Sequence, residues 1–172
     1  MSCAHNWWSP EREMTCLDDL EVVLGCEREP VSVRFAERHV AAPERDRRLF
    51  FLVELRAPGL EARAEGVTNF IVGTGLARFL DSLDFRGWKG KRRWANSNRD
   101  LRVSAVFESG GHIALTWKLA PWRSYAAGWD ATVTTRLEAG AQKDTLAADL
   151  REFMAAEAFG VDYYEGDITT FE

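Results

Sequence analysis

The sequence has few of the residues that build reactive or cross-linked sites. Its three cysteines, Cys3, Cys16 and Cys26, all lie in the first 26 residues. An odd number of cysteines in one short stretch is a poor disulfide framework. Together with His5 they match no compact spacing of zinc ligands. We therefore expect reduced thiols and no metal site.

Long apolar runs are missing as well. No segment approaches the roughly 18 consecutive apolar residues that a membrane span needs. The amino terminus carries acidic residues and tryptophans where a secretory signal would carry an apolar stretch. We therefore expect a cytoplasmic protein that does not associate with membranes.

The familiar catalytic motifs are absent from the sequence. There is no Gly-x-Ser-x-Gly elbow, no His-Glu-x-x-His pair and no phosphate-binding loop. Residues 72–78 look like the start of a dinucleotide-binding turn, but Arg78 stands where the third glycine belongs. We therefore predict that the protein is not an enzyme and binds no cofactor. The alternative is a catalytic site whose residues come together only in the folded protein.

The sequence does contain many runs in which apolar and polar residues alternate, the pattern of strands with one buried face. Two segments, 76–83 and 146–154, have helical spacing instead. Along the chain, the predicted order of these elements is four strands, a helix, four strands and a helix. Because the connections are short, neighbouring strands are expected to be antiparallel. The pattern predicts an α+β fold with a mainly antiparallel sheet.

A chain of 172 residues fits one domain. We assign residues 17–159 to that domain, 1–16 to an amino-terminal arm and 160–172 to an acidic tail. Either Trp7 and Trp8 anchor the arm, or the chain naturally begins at Met14. Residues 36–48 are rich in charge and are predicted to form a loop.

The net charge of −5 argues against general nucleic-acid binding. The charged residues are unevenly distributed along the chain. Residues 86–102 are basic and residues 140–172 are acidic. Trp88 and Trp94 bracket the basic cluster, a combination that can clasp phosphate and stack on bases. The alternative is that both tryptophans anchor the core and that the acidic tail or a protein partner neutralises the basic side chains. The candidate anion-binding residues are Lys89, Lys91, Arg92 and Arg93.

Residues 120–129 combine aromatic side chains with an arginine, residue types that are enriched at protein-binding hot spots. The acids of the tail would steer a basic partner towards the protein. Alternatively, the aromatic rings fold back and plug one end of the sheet. The predicted partner-binding residues are Trp122, Arg123, Tyr125, Trp129, Asp162, Glu165 and Asp167.

A family resemblance is carried by the segments GLARFLDSLDFRGWKGKRRWANSNRDLRVSAVFESGGHIALTWKL and GWDATVTTRLEAGAQKDTLAADLREF. About residues 20–155 resemble a family of small actinobacterial proteins of unknown function with a Trp-x-Gly-x-Arg-x-Trp element. That family is similar in layout to bacterial toxin-immunity proteins. The resemblance implies a fold and no catalytic residue.

Our first hypothesis for the function is therefore a protein-binding module, in its most specific form an immunity-like inhibitor whose partner is a basic toxin domain. A small-molecule or oligosaccharide binder with a tryptophan-lined sheet face is the alternative. An enzyme with an unrecognised site comes third.

Overall fold

The computed structural model describes residues 14–16, 20–26, 29–41, 48–70, 75–121 and 128–155. Within these ranges the chain forms nine strands and two helices. The strands are β1 (Met14–Cys16), β2 (Val22–Cys26), β3 (Glu29–Ala41), β4 (Arg48–Ala57), β5 (Leu60–Phe70), β6 (Lys91–Ala95), β7 (Leu101–Glu108), β8 (His112–Leu119) and β9 (Ala131–Glu138). The helices are α1 (Gly75–Asp81) and α2 (Ala141–Phe153).

The strands form two antiparallel sheets. Sheet A has the order β1-β3-β4-β5, and β2 also pairs with β3. Sheet B is a meander with the order β6-β7-β8-β9. Both sheets and both helices contribute side chains to one hydrophobic core. The structure confirms the α+β class and the antiparallel sheets.

The two sheets and α2 meet in a cluster of aromatic rings. The ring centroids of Phe35 on β3 and Trp117 on β8 lie 5.8 Å apart. Phe153, at the end of α2, lies 6.2 Å from Phe35 and 5.8 Å from Phe51. The buried indole of Trp117 donates a hydrogen bond of 2.9 Å from Nε1 to Oγ1 of Thr135. The cluster fixes how the inner faces of the sheets and α2 pack together.

Strand β3 is longer than the sequence predicted. Residues 36–41, predicted as part of a charged loop, continue the strand instead. The pairing with β4 shifts between Ala36 and His39, and Glu37 has a φ of 53°. This bulge reverses the alternation and turns Arg38 into the interior, where its guanidinium donates hydrogen bonds to the carbonyl oxygens of Glu152 and Phe153. The predicted loop is therefore wrong for residues 36–41.

The arm contains a strand where no periodicity predicted one, because Met14–Cys16 pairs with the far end of β3. Helix α1 ends at Asp81, two residues before the end of the predicted helical segment 76–83, but Leu76, Leu80 and Leu83 are all buried. Gly66 has a φ of 68° beside a register shift in the pairing of β5 with β4. No helix in the described ranges is both long enough and apolar enough to cross a membrane.

Candidate functional site

The outward face of sheet B carries small polar residues at its centre and basic residues at one border. Alternate residues of β7 are buried, so the residues between them face outward. Ser104, Thr116 and Thr134 stand side by side in the sheet register, and the two threonine hydroxyl oxygens lie 3.1 Å apart. On β6, Lys91 and Arg93 share this face because they pair with outward positions of β7. We call this surface the cationic face and define it by Lys91, Arg93, Arg102, Ser104, Thr116 and Thr134.

Ion pairs neutralise only part of the cationic face. At its far side Lys118 pairs with Asp130 at 2.9 Å, and Arg136 pairs with Glu108 at 3.2 Å. The three cations at the β6 border pair with no carboxylate of the described residues, and all three are exposed. These are Lys91, Arg93 and Arg102. The positive charge of this border is therefore not neutralised by the part of the chain that the structure describes.

The outward face of sheet A is very different because its charges neutralise one another. Glu54 is almost fully buried at its centre, within 3.2 to 3.8 Å of Arg34, Arg56 and Arg63. A hydrogen bond from Arg34 to Glu21 is the main cause that raises the pKa of the Arg34 guanidinium. The arginines also pair with further glutamates around the network. The described residues of this network thus leave no excess of positive charge on sheet A.

The four basic residues proposed as an anion site do not all lie on one face of sheet B. Lys91 and Arg93 lie on the cationic face, and Lys89 is exposed in the turn that precedes β6. Arg92 points the other way, since its Nη1 donates to the carbonyl oxygen of Ser82 and its guanidinium lies 5.1 Å from the ring centre of Trp88. Arg102, which the sequence prediction omitted, joins the border instead. Its alternation with buried neighbours on β7 indicates only that it faces outward, and its place at the border follows from the pairing of β6 with β7.

Trp88 and Trp94 are partly buried and pack against the hydrophobic core. The ring of Trp88 lies 5.5 Å from that of Phe107, and the indole nitrogen of Trp94 lies close to Gly75 at the start of α1. The two tryptophans therefore anchor the core, and neither stands on the cationic face. A surface that binds single strands by base stacking needs exposed rings. These two rings do not supply them.

Most of the predicted partner-binding residues lie outside the described residues. This holds for Trp122, Arg123, Tyr125, Asp162, Glu165 and Asp167. Trp129 is described, and 38% of its surface is exposed. It directly precedes Asp130, whose carboxylate pairs with Lys118 on the cationic face. Trp129 therefore stands at one end of this face.

The surface also has a pocket of about 350 Å³ between the turn after α1 and the start of α2. Its charged groups are already engaged: Asp81 pairs with Arg151, and the buried Lys143 pairs with Asp144 at 2.8 Å. Asp84 accepts a hydrogen bond from a backbone amide. Phe85 beside them is 64% exposed. The pocket is a place for a small ligand to contact the protein, but its charged side chains already have partners within the protein.

Ligands for a metal ion are not assembled in the part of the chain that the structure describes, where no group of three or more histidine, cysteine or acidic side chains has the required arrangement. His39 stacks on Phe50 at 5.5 Å, and His112 is exposed beside a hairpin turn. Cys3 and His5 lie outside the described residues.

Residues 24–157 match the family model described as a family of unknown function, DUF6228, and the chain belongs to that family. The matched range agrees with the extent of the resemblance found in the sequence. No curated protein and no solved structure is detectably similar to the chain.

Proposed function

We propose that this member of a family of unknown function is a protein-binding module, and that it binds an acidic surface of its partner through the cationic face. The observation that carries the proposal is the contrast between the two outward faces. The arginines of sheet A are surrounded by glutamates, whereas Lys91, Arg93 and Arg102 pair with no carboxylate of the described residues. A border of exposed cations beside small hydroxyl side chains fits an acidic protein surface.

Trp129 adds an aromatic residue to one end of this face. Partly exposed tryptophans are frequent anchors at protein interfaces, where their large rings become buried on binding. The two features together resemble the usual division of an interface into an anchor and a polar rim.

The specific form of the proposal is an immunity-like inhibitor that acts in the cytoplasm and covers the active site of a bacterial toxin. Such an inhibitor needs complementary shape and charge and no chemistry of its own. The cationic face favours an acidic site on the partner. The basic partner expected from the acidic tail rests on residues 162–167, which lie outside the described residues. The two expectations concern different parts of the chain and are tested separately.

The small-molecule alternative has weaker support. Its tryptophan-lined sheet face is not supported by Trp88, Trp94 and Trp117, which all pack into or against the core. Its remaining support is the pocket near Phe85, whose charged groups are paired internally.

The proposal is tested by neutralising equal charge on the two faces. The double variant Lys91→Gln/Arg93→Gln removes two cations from the cationic face, and Arg56→Gln/Arg63→Gln removes two from sheet A. Binding of poly-L-glutamate to the full chain is measured by calorimetry at several salt concentrations. We expect the first variant to lose about 1–2 kcal/mol of binding free energy, since each exposed pair contributes up to about 1 kcal/mol. We expect the second to lose little.

Equal losses in both variants would mean that only net charge matters and would refute the assignment of the face. Co-expression with the product of the adjacent gene tests the inhibitor form. If that product is a toxin, it should co-purify with the protein and lose activity. With the Lys91→Gln/Arg93→Gln variant, less of the toxin should co-purify and more of its activity should remain.

A further inference from the structure

Strand β6 stands at the edge of sheet B. It pairs with β7 on one side, and no strand of the described residues pairs with its other side. An edge strand carries backbone N–H and C=O groups that a further strand can bind. The direction in which each residue of β6 presents these groups follows from the pairing with β7.

The amide of Asn96, which follows β6, donates a hydrogen bond of 3.0 Å to the carbonyl oxygen of Leu101. Antiparallel pairs alternate between hydrogen-bonded and non-hydrogen-bonded positions. Counting back from Asn96 in the same register, positions 94 and 92 are bonded to β7 and the positions between them are not. The backbone groups of Lys91, Arg93 and Ala95 therefore point away from β7, to the open edge.

The same three residues also project their side chains from the cationic face. They pair with outward positions of β7, and all three are exposed. Arg92 and Trp94 lie on the opposite side, where they contact the region around α1. Lys91 and Arg93 thus combine open backbone groups with side chains that pair with no carboxylate of the described residues, whereas α1 lies on the side of Arg92 and Trp94.

We infer that an extended acidic segment of the partner protein adds to β6 as a fifth strand of sheet B. The inference rests on the proposed function and specifies how the partner binds. Its backbone would hydrogen-bond to the open groups of Lys91, Arg93 and Ala95, as in other complexes formed by strand addition. Alternate side chains of a strand lie about 6.5–7 Å apart on one face. Acidic residues two positions apart would therefore reach both Lys91 and Arg93.

A third cation beside the edge, Arg102, extends the charge complementarity between β6 and an acidic strand. Ala95 pairs with Arg102 of β7, and its small side chain leaves the guanidinium of Arg102 exposed behind it. A third acidic residue, opposite Ala95, would face this cation across the methyl group. The fitting segment thus has acidic residues at every second position.

A second copy of the chain fits this edge poorly. Pairing β6 with itself would bring Lys91 and Arg93 of both copies together, and like charges on neighbouring strands are destabilising. Charge therefore selects an acidic strand over a copy of the protein itself.

The test uses the full chain labelled with ¹⁵N and a capped synthetic peptide, Glu-Val-Glu-Val-Glu-Val-Glu. The composition-matched control peptide is Glu-Glu-Glu-Glu-Val-Val-Val. At nine-tenths occupancy, we expect the alternating peptide to slow amide hydrogen exchange about tenfold at Lys91, Arg93 and Ala95. The amides at 92 and 94 already bond to β7 and should not change. The control peptide should produce no such alternation.

A variant of Ala95 separates the backbone contribution from charge. Ala95→Pro removes one open N–H and no charge, and proline is tolerated on edge strands where the N–H does not bond within the sheet. Ala95→Thr keeps the N–H and serves as the matched control. We expect the proline variant to bind the alternating peptide about fivefold more weakly, the effect of one lost hydrogen bond. If the proline variant does not fold, the exchange pattern of the unmodified chain decides.

The outcomes distinguish the two proposals. Binding that depends on Lys91 and Arg93 without alternating protection would refute strand addition and leave the cationic face as the binding surface. Peptide binding that does not depend on the charges of Lys91 and Arg93 would refute both the cationic face and strand addition. Tighter binding of single-stranded oligo(dT) than of the alternating peptide would also overturn the inference, in favour of a nucleic-acid partner.

Discussion

Replacing Arg38 with methionine is expected to lower the free energy of unfolding by about 2–4 kcal/mol. The Arg38 side chain is buried, and its guanidinium donates hydrogen bonds of 3.1 and 2.7 Å to the carbonyl oxygens of Glu152 and Phe153. Helices end with carbonyls that have no partner within the helix. Arg38 thus connects the bulge of β3 to the end of α2.

The magnitude follows from opposing effects. A hydrogen bond to a charged group contributes about 1.5–3 kcal/mol, and two are lost. Methionine also leaves two carbonyl oxygens without these donors in a partly buried site. Against this, removing a buried charge recovers part of its desolvation cost. The guanidinium also lies 5.7 Å from the ring centre of Phe153, and methionine keeps part of that apolar packing. The net effect is therefore below the sum of the two bonds.

Urea unfolding followed by circular dichroism measures this difference. Arg56→Met is the matched control, because Arg56 is 56% exposed and its buried partner Glu54 keeps Arg34 at 3.2 Å and Arg63 at 3.8 Å when Arg56 is lost; we expect it to cost below about 1 kcal/mol. Amide exchange in the last turn of α2 gives a local readout, and the amide of Met154, which donates to Leu150, should exchange faster in Arg38→Met. Unchanged stability together with unchanged exchange would show that Arg38 does not hold the helix end.

Two further predictions concern the turn before β6 and the end of the cationic face. Gly87 and Gly90 both have positive φ, but a Cβ on Gly87 would lie 2.7 Å from the ring of Phe107 and one on Gly90 would meet nothing. Gly87→Ala should therefore destabilise the fold by about 1–3 kcal/mol more than Gly90→Ala in thermal unfolding, and equal costs would mean that Phe107 moves aside freely. Trp129→Ala should weaken poly-L-glutamate binding by about 1 kcal/mol at an almost unchanged melting temperature, whereas a large loss of stability would identify the ring as part of the core.

Sheet B could be predicted from the sequence because its strands are buried on one face only. The period of two places β7 and β8 within one residue of their observed bounds. Gly110 and Gly111 between them have φ values of 80° and 75°, the backbone conformation that tight hairpin turns favour. Here local pattern and tertiary environment agree.

The continuation of β3 could not be predicted in the same way. An arginine in a charged segment is ordinarily exposed, and Arg38 is buried because its partners lie more than 100 residues further along the chain. The bulge that points it inward also interrupts the alternation, which is the signal on which strand prediction depends.

The candidate site could be predicted in part. Composition alone identifies residues 86–102 as basic, but it does not show which of the basic side chains lie on the same face of the sheet. Trp94 is apolar and Arg92 stands two residues before it, so alternation would have separated Arg92 from Lys91 and Arg93, although the sequence prediction grouped them. That Arg102 joins them depends on the pairing of β6 with β7, which no local pattern reveals.

The basic border of β6 has two consequences that follow from the same charges. Positively charged side chains on an edge strand protect a protein against pairing with its own copies. On β5, an edge strand of sheet A, a bulge at Gly66 and mixed charges give comparable protection. On β6, however, the charges of Lys91 and Arg93 have one sign and the strand contains no bulge. An edge protected in this way repels a basic or self-complementary strand and remains open to an acidic one, so protection from self-association and selection of an acidic partner are the same property of this strand.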